Sequence, residues 1–80
     1  MENIADLQAL IIDLTSDKAR RVVESETDPR ELIFSLILLG YSKGKDSAKL
    51  DNLFDALEDN LDNSYDVIIA NLSDSITDIF

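Results

Sequence analysis

Apolar residues recur along this chain at helical spacing, and the recurrence divides it into five segments. Ile4, Leu7, Leu10, Ile11 and Leu14 share one face, with Asp6 and Asp13 opposite, and predict an amphipathic helix over 3–14. Thr15-Ser16-Asp17 offers three side chains that compete for backbone hydrogen bonds, which predicts a break or kink. A shorter helix over 17–25 follows, with Ala19, Val22 and Val23 inward and Arg20, Arg21 and Glu24 outward. The pattern leaves open whether 3–25 is one helix or two. Further on, Leu50, Leu53, Phe54, Leu57 and Leu61 form the stripe of a helix that Asp46 or Ser47 opens and Leu61 closes. Ser64 caps the last helix, 65–79, where Tyr65, Ile68, Ile69, Leu72, Ile76 and Ile79 align on one narrow face. There is no strand-like alternation and no internal repeat.

The middle segment differs in kind. Between Leu32 and Leu39 only Ser35 is polar, so apolar side chains cover the whole circumference, the pattern of a helix buried on all sides. Its punctuation is complete. Asp28 supplies an N-cap with Glu31 three residues on, as in a capping box. Pro29 takes the first helical position, where its missing N–H costs nothing. Gly40 follows the last apolar residue, where a left-handed C′ residue is wanted. The apolar run spans ~12 Å, far short of the ~30 Å hydrocarbon core of a bilayer. The expected fold is therefore all-α: a single domain, 1–80, of about five short helices packed around a central apolar helix over residues 29–39. Its expected stability of ~4–12 kcal/mol makes that helix indispensable.

Composition narrows the chemistry. Cysteine and histidine are both absent, which removes disulfides, thiol nucleophiles, imidazole bases and His/Cys metal sites. The expectation is a protein that is not an enzyme and holds no cofactor. An acidic opening, Met1-Glu2-Asn3, with no basic segment ahead of an apolar run predicts no signal peptide, hence a cytoplasmic protein without membrane insertion. Carboxylates suggest calcium, but Asp59 to Asp66 lacks the glycine and the spacing of an EF-hand loop, so no metal site is expected.

Formal net charge is −10, and it is unevenly placed. Residues 1–17 hold four acids and no base, 18–49 hold all seven Lys and Arg against five acids, and 50–80 hold eight acids and no base. Such a field repels nucleic acid and attracts basic protein surfaces. At 100° per residue, Asp51, Asp55, Glu58, Asp59, Asp62 and Asp66 fall within about a third of a helix circumference. Like charges at i, i+4 cost a few tenths of a kcal/mol per pair, and no lysine on the stripe relieves them. The stripe is the candidate docking face for a basic partner. A second candidate surface is the apolar cluster at the end of the chain, Ile76, Ile79 and Phe80, which predicts self-association to a homodimer.

Gly44-Lys45-Asp46-Ser47, followed by Leu53, Phe54, Ala56, Leu57 and Glu58, resembles the region around the attachment serine of acyl carrier proteins. The resemblance covers residues 44–61 and implies phosphopantetheine on Ser47. Ala48 and Lys49 stand where that family has leucine after the serine, and the apolar helix stands where it has a long loop. The leading expectation is a non-enzymatic acidic helical protein that binds, and so inhibits or regulates, a basic protein, in competition with nucleic acid for it. The alternatives are an acyl-carrier-like domain modified at Ser47 and a homo-oligomeric assembly protein.

Overall fold

In the computed structural model, residues 3–15 and 19–80 are described. They form five helices: α1 (Ile4–Leu14), α2 (Arg20–Ser25), α3 (Pro29–Ser42), α4 (Ser47–Asp59) and α5 (Tyr65–Ile79). No strand occurs among the described residues. α3 is the hub, touching α1, α4 and α5. Leu7 and Ile11 of α1, Val23 of α2, Leu32, Ile33, Leu36 and Ile37 of α3, Leu53 and Leu57 of α4, and Ile68, Ile69, Leu72 and Ile76 of α5 join in one apolar cluster. The radius of gyration, 11.6 Å, equals the ~11.6 Å typical of 80 residues in one compact body.

Three of the five helices, α1, α3 and α4, begin where a local side chain accepts from their free N–H groups. Asn3 and Asp6 form a reciprocal capping box on α1. Asp46 accepts from the Lys49 N–H at 3.2 Å and opens α4. Asp28 accepts from the Arg30 N–H at 2.9 Å with Pro29 buried behind it. The reciprocal partner of Asp28 is Glu26, whose carboxylate accepts from the Asp28 N–H at 2.9 Å, rather than the expected Glu31. Ser64 precedes α5 without a side-chain capping bond.

The segment 3–25 is two helices. α1 ends at Leu14, where Thr15 turns extended (φ −116°, ψ 174°), and α2 begins at Arg20. Of the expected break at Thr15-Ser16-Asp17 only Thr15 is described; Ser16, Asp17 and the next residue of the expected second helix, Lys18, lie outside the described residues. Gln8 ties the two together by donating from Nε2 to the Glu26 carbonyl at 2.7 Å. Val22, expected inward, is 71 % exposed, because α2 is short and only Val23 reaches the core.

Two expectations for the central helix are corrected. Gly40 does not end it: the helix runs one turn further, to Ser42, and Gly40 is buried against Leu50 of α4. The left-handed residue is Gly44, at φ +71°. It completes a Schellman stop in which Lys45 N–H bonds the Gly40 carbonyl at 2.9 Å and Gly44 N–H the Tyr41 carbonyl at 3.2 Å. Nor is α3 covered all round. Leu32, Ile33, Leu36 and Ile37 are buried, but Phe34, Leu38 and Tyr41 face outward. α1, α4 and α5 pack on one side of it, and among the described residues no helix covers Phe34, Leu38 and Tyr41 on the other.

Candidate functional site

The exposed side of α3 is organised by its pairing with α4. Gly40 meets Leu50, Tyr41 bonds Asp51, Phe34 packs on Phe54, and Arg30 reaches the Leu61 carbonyl. Phe34, early in α3, lies beside Phe54, later in α4, while Gly40 and Tyr41 near the end of α3 lie beside Leu50 and Asp51 near the start of α4, so the two form an antiparallel hairpin. The turn after Ser42 is the Schellman stop followed by the Asp46 cap, two local devices that let the chain reverse in four residues.

Between the two helices lies a concavity of about 390 Å³, lined by Arg30, Glu31, Phe34, Phe54, Leu57, Glu58 and Leu61. The Phe34 and Phe54 rings pack at 6.3 Å between centroids, tilted by 52°, a separation within the ~4.5–7 Å that aromatic pairs favour. Phe34, Leu38 and Tyr41 stand at i, i+4 and i+7 on α3, so they continue the concavity as one stripe along that helix. Leu38 is 55 % exposed and lies outside the core cluster. Single exposed apolar residues are ordinary, whereas a contiguous set rimmed by charge marks an interaction surface. A smaller concavity of about 200 Å³, with Val22, Leu32 and Ser35 in its wall, adjoins on the far side of Glu31.

The rim is negative. Asp51, Asp55, Glu58 and Asp59 are exposed along α4, and Glu58 and Glu31 line the concavity itself. The Tyr41 hydroxyl donates to the Asp51 carboxylate. That bond, the partial loss of water and the charges of Asp51 and Asp55 all hold the proton on Tyr41 and push its pKa up.

Among the described residues Arg30 is the one cation lining the concavity, and its charge is already matched. Its Nη2 lies 2.7 Å from Asp28 Oδ2 and its Nε donates to both oxygens, at 2.9 and 3.1 Å. Nη1 donates to the Leu61 carbonyl at 3.1 Å, and the guanidinium carbon sits 5.5 Å from the Tyr65 ring centroid. Hydrogen bonds from Arg30 lower the Asp28 pKa against the opposing effect of burial. The same bonds raise that of Arg30. Arg30 thus closes one end of the groove and leaves the carboxylates on its rim to set the sign of the field.

The structure divides the predicted stripe. Asp51, Asp55, Glu58 and Asp59 share α4, but the helix stops at Asp59, so Asp62 lies in the following turn and Asp66 in the first turn of α5. The stop is built by Asn60. Its Nδ2 donates to the Ala56 carbonyl at 2.7 Å, while its Oδ1 accepts from Asn63 and Asn71, both at 2.8 Å. A continuous stripe through Asp66 requires a helix that these bonds interrupt.

The residues of the terminal cluster pack against this chain's own core to different degrees. Ile76 is fully buried, and Ile79 and Phe80 pack partly buried against the core, with Phe80 near Gly40. Ser47 is exposed as the first residue of α4, directly after the Asp46 cap. Among the described residues no three carboxylates are grouped so as to hold a metal ion, and no helix is long and apolar enough to cross a membrane.

Sequence reasoning missed Phe34, Leu38, Tyr41 and Arg30 as surface features. The signal was present in the apolar excess of 32–39, which exceeds what three short neighbours can cover. The chain matches no family model, no curated protein and no solved structure. The acyl-carrier resemblance stays confined to the residues 44–61 that carry it.

Proposed function

We propose that this protein is a non-enzymatic acidic helical module that binds a basic protein and, by occupying its basic surface, inhibits or regulates it. One observation carries the reading: an exposed apolar stripe, Phe34, Leu38 and Tyr41, runs beside carboxylates that repel one another, Asp51, Asp55, Glu58 and Asp59. Along α4 the pairs Asp51/Asp55 and Asp55/Asp59 are spaced i, i+4 with no lysine between, a destabilising arrangement of a few tenths of a kcal/mol each. A face that serves only solubility has no use for that cost. A face that meets cations recovers it on binding.

The test compares the wild-type protein with a variant in which Asp51, Asp55 and Asp59 are changed to Asn and Glu58 to Gln. Both serve as immobilised bait for cell extract, and basic proteins that only the wild type retains are purified for rate measurements. Association with the variant should slow by about tenfold or more, with dissociation less changed, because long-range attraction steers encounter. Association with the wild type should also slow as the Debye length falls from ~10 Å at 0.1 M salt to ~3 Å at 1 M. The variant should fold at least as stably as the wild type. Equal association rates at low salt would reduce the stripe to a hydrated surface.

A further inference from the structure

We infer that the occupant of the α3–α4 groove is a single amphipathic basic helix of the partner, laid along α3 with its apolar side chains on the stripe and its cations toward α4. The inference rests on the proposed binding of a basic protein and adds how that protein is recognised.

The groove has the dimensions of such a ligand. Phe34, Leu38 and Tyr41 repeat at i, i+4 and i+7 and span ~10 Å along α3, two turns of a helix. An incoming helix presents its anchors with the same period, so three apolar residues can meet three. The concavity beside Phe34 and Phe54, about 390 Å³, is open on one side and floored by Leu57 and Leu61, which suits an inserted side chain. The sign is equally specific. Asp51, Asp55 and Glu58 border the stripe on the α4 side, and Glu31 stands at its N-terminal end. Arg30 is held by Asp28 and the Leu61 carbonyl, so it does not cancel them. Lysine or arginine flanking the apolar stripe of a helix would reach these carboxylates.

The same charges argue against a second copy of this chain. A two-fold pairing through the groove would set Asp51, Asp55 and Glu58 of one copy close to those of the other. Among the described residues that line the concavity, Arg30 is the only cation to offset that repulsion, and it is already matched by Asp28.

The test uses the full chain and three synthetic peptides of about 18 residues, long enough to form a helix. The first places leucine at i, i+3/i+4 and i+7 and lysine elsewhere. The second scrambles the same composition so that no apolar stripe forms. The third replaces lysine with glutamate. Affinity is read by fluorescence anisotropy and location by amide chemical-shift changes. The first peptide should bind, shift the amides around Phe34, Leu38, Phe54 and Leu61, and bind at least tenfold more tightly than the second. Leu38→Ser and Phe34→Ala should each weaken it about tenfold, while Glu58→Lys weakens it without touching the apolar surface.

Equal binding of the patterned and scrambled peptides would overturn the groove as a helix site while leaving the acidic face as a docking surface. Binding of the glutamate peptide would overturn the charge argument. Failure of both lysine peptides at low salt would overturn the inference together with the proposed function. A dimer in light scattering that Leu38→Ser dissociates would show a second copy in the groove and overturn the inference alone. Because Leu38 is the most exposed of the three stripe residues, its variant keeps the test decisive even where Phe34→Ala perturbs packing.

Discussion

Gly40 and Leu50 meet so closely that a methyl group on Gly40 would stand 2.6 Å from Leu50 Cδ2 and 3.1 Å from Cδ1. Leu50 is fully buried and has no solvent to retreat into. The absence of a side chain at Gly40 is therefore what sets how near α4 lies to α3, and with it the width of the groove that Phe34 and Phe54 border.

Replacing Gly40 by Ala sets two effects against each other. Helix propensity favours alanine by ~1 kcal/mol in a helix interior, whereas overpacking a filled contact costs ~1–3 kcal/mol. The clash should win, with a net loss of ~1 kcal/mol by urea unfolding. In a Leu50→Val background both Cδ atoms are gone. The remaining close atom, Phe80 Cζ at 3.2 Å, is the far end of a terminal, partly buried side chain that can give way, so there Gly40→Ala should stabilise. The sign change across the double-mutant cycle is the diagnostic. The same loss in both backgrounds would mean that Leu50 is not the obstacle.

Two leucines of one helix should behave oppositely. Leu36 is fully buried among the other helices, and Leu36→Ala should cost ~2–5 kcal/mol, a large share of the ~4–12 kcal/mol expected for the whole protein. Leu38 lies on the rim, and Leu38→Ala should stay within ~0.5 kcal/mol of wild type. Thermal or urea unfolding of the pair checks both. A large loss at Leu38 would mean that the stripe is packed in solution.

Asp28 should make the protein sensitive to acid in a defined direction. Arg30 lowers the native pKa of Asp28 below its usual value near ~3.9, so the stabilisation is complete above that value. It is lost as pH falls through the depressed native pKa. Asp28→Asn keeps a capping oxygen but not the ion pair. The wild type should exceed this variant in stability at neutral pH, and the gap should narrow progressively below pH ~4. Urea midpoints across that range decide it; a constant gap would assign the effect to capping alone.

Tyr41 shifts at the other end of the pH scale. The bond to Asp51 and the nearby charge of Asp55 keep its phenol protonated above the ordinary value near ~10. The stabilisation this represents is present below that value and is lost as pH rises through the higher native pKa. An ultraviolet titration should show a late tyrosine step that Tyr41→Phe removes and Asp51→Ala moves down. An unmoved step in Asp51→Ala would mean that the carboxylate does not hold the phenol.

The five helices were legible from the sequence because their causes are local. Asp28 and Asp46 cap the backbone within three residues of themselves, and apolar spacing of three and four marks each buried face. Most of the core followed for the same reason: Leu7, Ile11, Leu53, Leu57, Ile68 and Leu72 lie on the faces that the period marks. The net charge and its placement needed no structure at all.

Only the tertiary structure decided which faces stay open. Leu36 and Leu38 are chemically identical and two residues apart, so nothing local separates them. One is buried because α1, α4 and α5 converge on its side of α3, and the other faces outward because no helix among the described residues packs over it. Gly40 reads as the residue after the helix until Leu50, ten residues on, requires its bare α-carbon inside the last helical turn. The acidic stripe reads as continuous until Asn71, from the next helix, helps Asn60 close the turn after Asp59. Hydrogen bonding along a helix depends on neighbours in sequence, whereas burial depends on neighbours in space, and the groove between α3 and α4 is a product of the second.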